Sequence, residues 1–169
     1  METVFSGNPW TTSFTEDSFG NIWIGTYRNG TFCFHKNQTP FQKSMSGKNI
    51  ECMSTDHSGN YWIGSLNGEV CVLDSTQKQI MGKTIFPNDM IHTICGQESS
   101  NKVWVGTMYG LYEAWIESNK QIVYQKTSGI NIPSIRSIVQ DSCFLWIASY
   151  NNGVTPVSYT HLRAHETLR

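Results

Sequence analysis

Charge is scarce in this sequence and nowhere gathered. Of its 169 residues only 15% are Asp, Glu, Lys or Arg, the formal net charge is −1, and no run of Lys and Arg forms a basic patch. Proteins that hold nucleic acid or an anionic membrane need such a patch, so neither partner is expected. Long apolar runs are also missing: nothing approaches the roughly 18 residues of a bilayer span. The opening METVFSGNPWTTSF lacks the charged segment followed by an apolar core that marks a secretory leader. The five cysteines, Cys33, Cys52, Cys71, Cys95 and Cys143, include no C-x-x-C pair. They read as small strand hydrophobes, and no clustered ligand set points to a metal or another cofactor. A 3.6-residue apolar period is absent as well, so no helix is expected in 1–154.

What the sequence has is aromatics and glycine. Aromatic residues make up 12%, with six Trp and seven Tyr, and there are 14 Gly. That composition favours short strands and tight turns over a helical bundle. One phrase recurs four times: GNIWIGT (20–26), GNYWIGS (59–65), NKVWVGT (101–107) and CFLWIAS (143–149). Its tryptophans, Trp23, Trp62, Trp104 and Trp146, lie 39, 42 and 42 residues apart. Upstream of each runs a second pattern of apolar, two spacers, apolar, two spacers, polar. It reads Ile50, Met53, Asp56, then Ile91, Ile94, Gln97, then Ile135, Ile138, Asp141, with a weaker first copy at Thr11, Phe14, Asp17. Downstream, a glycine opens another alternating run. The interval from the polar residue to the tryptophan varies, which is how strands behave when a surface hairpin joins them. Asp17 and Asp56 suit that hairpin, because Asp can bond forward to its own backbone and the following Gly supplies a positive φ.

Each unit therefore reads as four short strands: in the second, IECMST, YWIGS, EVCVLD and QIMGKTI; in the third, IHTICG, KVWVGT, LYEAWI and QIVYQK. Four strands per repeat of about 40 residues is the signature of a β-propeller blade. A β-solenoid is the rival, but its coils are shorter. The expected fold is all-β, a propeller fragment of about four four-stranded blades spanning 1–156. Alternation sets Ile22 and Ile24 on one face of a strand and Trp23 on the other. Neighbouring blades bury both faces, so the tryptophans are expected as wedges in the core. Gly25, Gly64 and Gly106 are expected where blades approach closely, with Ala148 as the tolerated departure.

The pattern apolar-x-x-apolar-x-x-D-x-x-G-N-apolar-W-apolar-G-T, quoted best by FTEDSFGNIWIGTYRNGTFCF (14–34) and MSTDHSGNYWIGSLNGEVCVLD (53–74), resembles the two-component regulator propeller repeat. The resemblance covers roughly residues 10–154. It implies part of a seven-bladed ring in the periplasmic sensor region of a hybrid histidine kinase of the kind found in gut Bacteroidetes. In that family two such propellers usually precede an Ig-like domain, a membrane span, a kinase core, a receiver and a helix-turn-helix domain. The implied ligand is an oligosaccharide, the implied partners are the remaining blades and the kinase of the parent chain, and a homodimer of the parent is compatible with it. More distantly the blades resemble those of streptogramin lyases and quinoprotein propellers.

For binding, the loops joining second to third strands carry YRN (27–29), LN (66–67), MY (108–109) and YNN (150–152). Tyr27, Tyr109 and Tyr150 fall at near-equivalent places, with Arg28, Asn67 and Asn151 beside them. Aromatic faces next to amide and guanidinium donors suit a pyranose, which has an apolar face and a ring of hydroxyls. An enzyme would need clustered acid–base groups. His35, His57 and His92 belong to different blade positions and are not expected to converge; Asp17, Asp56 and Asp141 read as turn residues. No catalytic residue is assigned. A protein-interaction scaffold is the main alternative to ligand sensing. The alternating code is expected to stop at Val154, and 157–169 reads as a non-native or disordered tail, since VSYTHLRAHET resembles translated sequencing-adapter sequence. His161, Arg163, His165 and Glu166 are accordingly given no role.

Overall fold

The computed structural model describes residues 10–35, 38–44, 47–74, 80–86 and 89–158. Fifteen strands and no helix make up these residues. They form four antiparallel sheets, each a meander in chain order. The first sheet holds β1 (Thr11–Glu16), β2 (Ile22–Thr26), β3 (Gly30–His35) and β4 (Gln38–Ser44). The second holds β5 (Ile50–Thr55), β6 (Tyr61–Ser65), β7 (Glu69–Leu73) and β8 (Ile80–Ile85). In the third are β9 (Ile91–Gly96), β10 (Lys102–Thr107), β11 (Leu111–Ile116) and β12 (Ile122–Lys126). The fourth has three strands among the described residues, β13 (Ile135–Gln140), β14 (Phe144–Ser149) and β15 (Gly153–Ser158). First strands of successive sheets touch one another, β1 to β5, β5 to β9 and β9 to β13, so they form the inner wall of a partial propeller ring.

The recurring phrase turns out to be wired to itself. Asp17 Oδ1 accepts the backbone N–H of Phe19 and Asn21 at 2.8 and 2.9 Å, while Oδ2 accepts the indole N–H of Trp23 at 3.2 Å. Asp56 repeats this with Asn60 and with Trp62 at 3.0 Å, and Asp141 with Trp146 at 2.6 Å. Gly20 and Gly59 close the hairpins at φ 79°, in the left-handed region that glycine adopts without strain. The final Thr or Ser of the phrase closes the next turn. Thr26 Oγ1 bonds Gly30 O at 2.7 Å, and Thr107 Oγ1 bonds Gly110 O at 3.1 Å. Where the third repeat replaces Asp with Gln97, that side chain turns to Glu113 instead, and the buried Trp104 Nε1 has no partner.

Between sheets the tryptophan is the wedge. Trp23 packs against Tyr61 of the next sheet, ring centroids 4.2 Å apart, and the Tyr61 hydroxyl reaches back to Asp17 at 2.6 Å. Trp62 sits among Ile91, Val103 and Val105, and Trp104 among Ile135, Ile138 and Ile147. A Cβ on Gly25, Gly64 or Gly106 would stand 2.9, 2.6 or 2.5 Å from Ile50, Ile91 or Ile135 of the following first strand. Adjacent blades could not approach this closely past any larger residue. At the fourth sheet nothing among the described residues covers the equivalent face, and Trp146 is 39% exposed where Trp62 is 0%. Phe14, on the outer face of the first sheet, is likewise 80% exposed.

Two expectations need correcting. Strand pairing does not end at Val154: β15 continues to Ser158, and Val157 lies opposite Leu145 and is buried, so 157 and 158 belong to the blade rather than to a tail. Pro156 and Thr155 hid the alternation that puts Val157 inward. The assignments at His161, Arg163, His165 and Glu166 lie outside the described residues. Of the cysteines, Cys33, Cys52 and Cys71 are buried strand residues, whereas Cys95 is half-buried and Cys143 stands exposed in the β13–β14 hairpin. The polar hairpin there is only a few residues long and turns its side chains to solvent.

Candidate functional site

The β2–β3, β6–β7, β10–β11 and β14–β15 turns lie at one end of the sheets, because each first strand begins opposite the end of its second strand: Ile50 pairs with Ser65 and Ile135 with Ser149. Backbone bonds stitch these turns to the segments entering the first strands. Tyr27 N donates to Trp10 O at 2.9 Å, Ser134 N to Met108 O at 2.7 Å, and Tyr150 N to Ser134 O at 3.0 Å. Ser134 holds φ 52°, a left-handed conformation uncommon for a residue with a Cβ and concentrated at functional places.

This end carries the aromatic positions read from the sequence. Tyr109 is 59% and Tyr150 72% exposed, while Tyr27 is half-buried against Trp10, centroids 5.7 Å apart. The Arg28 guanidinium lies 5.3 Å from the Tyr27 ring centre, and that of Arg136 lies 5.5 Å from Tyr150. Arg28 and Asn151 are exposed, and Asn67, also exposed, is bonded to the Ser65 hydroxyl. The turns are thus on one end but spread over four blades.

Sequence reasoning missed an inner ring at this same end. In every sheet the pairing of first to second strand slips at one residue, between Thr11 and Ser13, Ile50 and Cys52, Ile91 and Thr93, Ile135 and Ser137. A bulge frees the extra residue from the ladder and re-aims its side chain. Those residues are Thr12, Glu51, His92 and Arg136. Thr12 Oγ1 donates to Ile50 O at 2.5 Å, linking the first two blades. Arg136 NH1 lies 3.3 Å from His92 Nδ1. Burial, then the Arg136 charge, push the His92 pKa down, against an opposing pull from Asp89. Burial raises the Glu51 carboxyl, with Arg136 opposing. Asp89, in the segment before β9, accepts from Met90 N and Met108 N at 2.8 and 3.0 Å. The available signal was a polar residue that changes type, Thr, Glu, His, Arg, inside a frame that otherwise repeats.

At the opposite end a cleft of about 220 Å³ opens between the first two hairpins, lined by Asp17, Phe19, Asp56 and His57 among others. Its two aspartates are already committed to their own turns and tryptophans. His57 and His92 therefore lie at opposite ends of the sheets, and the His35 side chain is outside the described residues. No group of three or more His, Cys, Asp or Glu with metal-binding geometry occurs among the described residues. Among the described residues there is no helix long and apolar enough to cross a membrane.

Comparison with known proteins agrees with this architecture. Residues 5–28 match the model of the family described as two component regulator propeller. No curated protein matches the chain. Among solved structures, the extracellular domain of BT3049 from B. thetaiotaomicron, described as a hybrid two component system, is 23% identical with a TM-score of 0.69, covering 95% of this chain and 22% of that one. The extracellular domain of BT4673 from the same organism, described as a one component system, is 21% identical with a TM-score of 0.65, covering 90% of this chain and 21% of that one. The C-terminal WD40 domain of Sif2, at 12% identity and a TM-score of 0.64, covers 90% of this chain and 46% of its own. This chain thus spans about a fifth of the length of the first two structures.

Proposed function

We propose that this chain is a segment of an extracytoplasmic sensor propeller that recognises an oligosaccharide and signals to a kinase elsewhere in its parent protein. The β-propeller fold and the two component regulator propeller match at 5–28 support the sensor class. The carrying observation for the ligand is that Tyr27, Tyr109 and Tyr150, on three different blades, lie at the same end of the sheets, two of them beside guanidinium groups. An exposed ring offers its face to the apolar side of a pyranose while neighbouring N–H groups take the hydroxyls. Binding would signal by preferring one of two receptor arrangements, which requires no catalytic residue in the propeller. The parent would sit in the inner membrane with this segment in the periplasm.

The test is calorimetry of the complete extracytoplasmic region against a glycan panel, with a Tyr27→Ala/Tyr150→Ala variant. Binding weakened in that variant is the expected result. Tight binding unchanged in it would remove the rim assignment. Failure of every glycan, with a protein captured instead, would turn the reading toward an interaction scaffold.

A further inference from the structure

The contacts between neighbouring sheets are one contact repeated. Each joins a trailing face to the leading face of the next sheet. The trailing face holds the phrase tryptophan and the third-strand residue paired with the phrase glycine; the leading face holds two residues of the first strand and two of the second. Thus Trp62 and Val70 share a cluster with Ile91, Ile94, Val103 and Val105. Trp104 and Leu111 share one with Ile135, Ile138, Leu145 and Ile147. The same two faces stand open at the two ends of the array. On the fourth sheet the trailing face is Trp146 with Val154, which is 63% exposed where Val70 and Leu111 are 0%. On the first sheet the leading residue Phe14 is 80% exposed where its counterparts Ile94 and Ile138 are 6%. Ile22 and Ile24 beside it are half-buried, whereas Leu145 and Ile147 at the same places are sealed. Open apolar faces of this kind mark surfaces of association.

We propose that two copies of this chain pair head to tail, the trailing face of each fourth sheet receiving the leading face of the other copy's first sheet, and close a ring to which each contributes its four sheets. The occupant follows from continuity, because a second copy offers the open face the same kind of surface that it meets at every contact inside the chain. The two faces differ, so the contact is heterologous, and such contacts either close into a ring or grow into a filament. Curvature decides for the ring: this arc superposes on 46% of the WD40 domain of Sif2, so two arcs span about one propeller of that length. The faces also match where they depart from the repeat. Ala148 carries one methyl more than Gly64 and Gly106, at the spot where a Cβ would press on the first-strand isoleucine. The residue arriving there is Thr11, smaller than Ile91 or Ile135 at the same place in the ladder. The pairing does not depend on the sensor reading, but it bears on it: the second copy's Tyr27 comes next after Tyr150 around the end that carries the tyrosines, so one copy alone holds an incomplete rim.

The experiment is sedimentation of the 169-residue chain across the micromolar range, with Phe14→Glu and Val154→Glu as single variants. The wild type is expected to form a discrete dimer. Both substitutions fall at exposed positions, so each variant should keep the native circular dichroism. Each loses one half of the contact, where an unpaired carboxylate against an apolar face weakens pairing by about tenfold or more, and each alone should sediment as a monomer. Mixed one to one, the intact trailing face of Phe14→Glu meets the intact leading face of Val154→Glu, and a dimer held by a single contact should return. A variant that still dimerises alone overturns the proposal, because a face would then be packing on its own kind. So does a mixture that stays monomeric, or a wild type that grows into open-ended polymers. A wild-type monomer at every concentration overturns the pairing as well and leaves the faces to another occupant, a further blade of the parent or the chain's own residues 159–169. None of these results touches the sensor reading, which the calorimetry of the complete region decides.

Discussion

Removing the carboxylate of Asp56 should be far more damaging than removing that of Asp141, although the two occupy the same place in the repeat. Asp56 accepts the backbone and side-chain N–H groups of Asn60 and the indole N–H of Trp62, each at 3.0 Å. Trp62 is 0% exposed, so in Asp56→Ala its N–H is left in the core with neither carboxylate nor water. An orphaned buried donor costs about 1–3 kcal/mol, and losing the charge-assisted bonds to the turn adds a similar amount, so a total of about 3–4 kcal/mol is expected. Asp141 bonds Trp146 at 2.6 Å, but Trp146 is 39% exposed and water can replace the lost acceptor. Asp141→Ala should therefore lower the urea midpoint much less, with the slope unchanged in both variants. Trp104, which has no partner at all, shows that one such orphan is tolerated in an otherwise intact sheet. The assay is urea unfolding followed by tryptophan fluorescence and far-ultraviolet circular dichroism. Equal losses in the two variants would refute the argument, because they would mean that burial of the indole does not set the cost.

Other expectations follow from the same contacts. Gly64→Ala places a Cβ 2.6 Å from Ile91 and 2.8 Å from Cys52, and should cost about 1–3 kcal/mol in chemical denaturation through overpacking. Trp62→Ala should cost about 3–5 kcal/mol and act through folding, so a normally stable variant would contradict the wedge role. Val157→Ala should cost about 2 kcal/mol, because Val157 is 8% exposed; an unchanged midpoint would return this residue to the tail. Burial alone would raise the Asp17 carboxyl, but bonds from Tyr61, Asn21 and Trp23 outweigh it and hold the pKa at about 2 against an ordinary 3.8. A depressed folded pKa stabilises the fold above the unfolded value and ceases to as pH falls through about 2, so Asp17 contributes stability at neutral pH that disappears between about pH 4 and 2. In acid titration Asp17→Asn should flatten that part of the stability curve, and an unaltered curve would contradict the assignment.

The sequence by itself determined the repeat, the strand order within each blade and the position of each wedge. The reason is that these are local properties: alternation, a turn that needs Gly, and a tryptophan recurring every 39–42 residues all lie within one unit of the chain. The strands of the second and third sheets fall within a residue or two of where the pattern puts them. What tertiary structure alone decided was anything depending on two blades at once. No local signal says that Tyr61 reaches Asp17, 44 residues back, or that His92 and Arg136, equally far apart in sequence, meet at 3.3 Å. Nor does the pattern announce that Thr12, Glu51, His92 and Arg136 are bulged, since a slipped register changes which residues pair without changing the apolar code on either side. Even the identical phrase has unequal fates, Trp62 sealed and Trp146 open, because burial belongs to the neighbouring sheet and not to the strand that carries the residue.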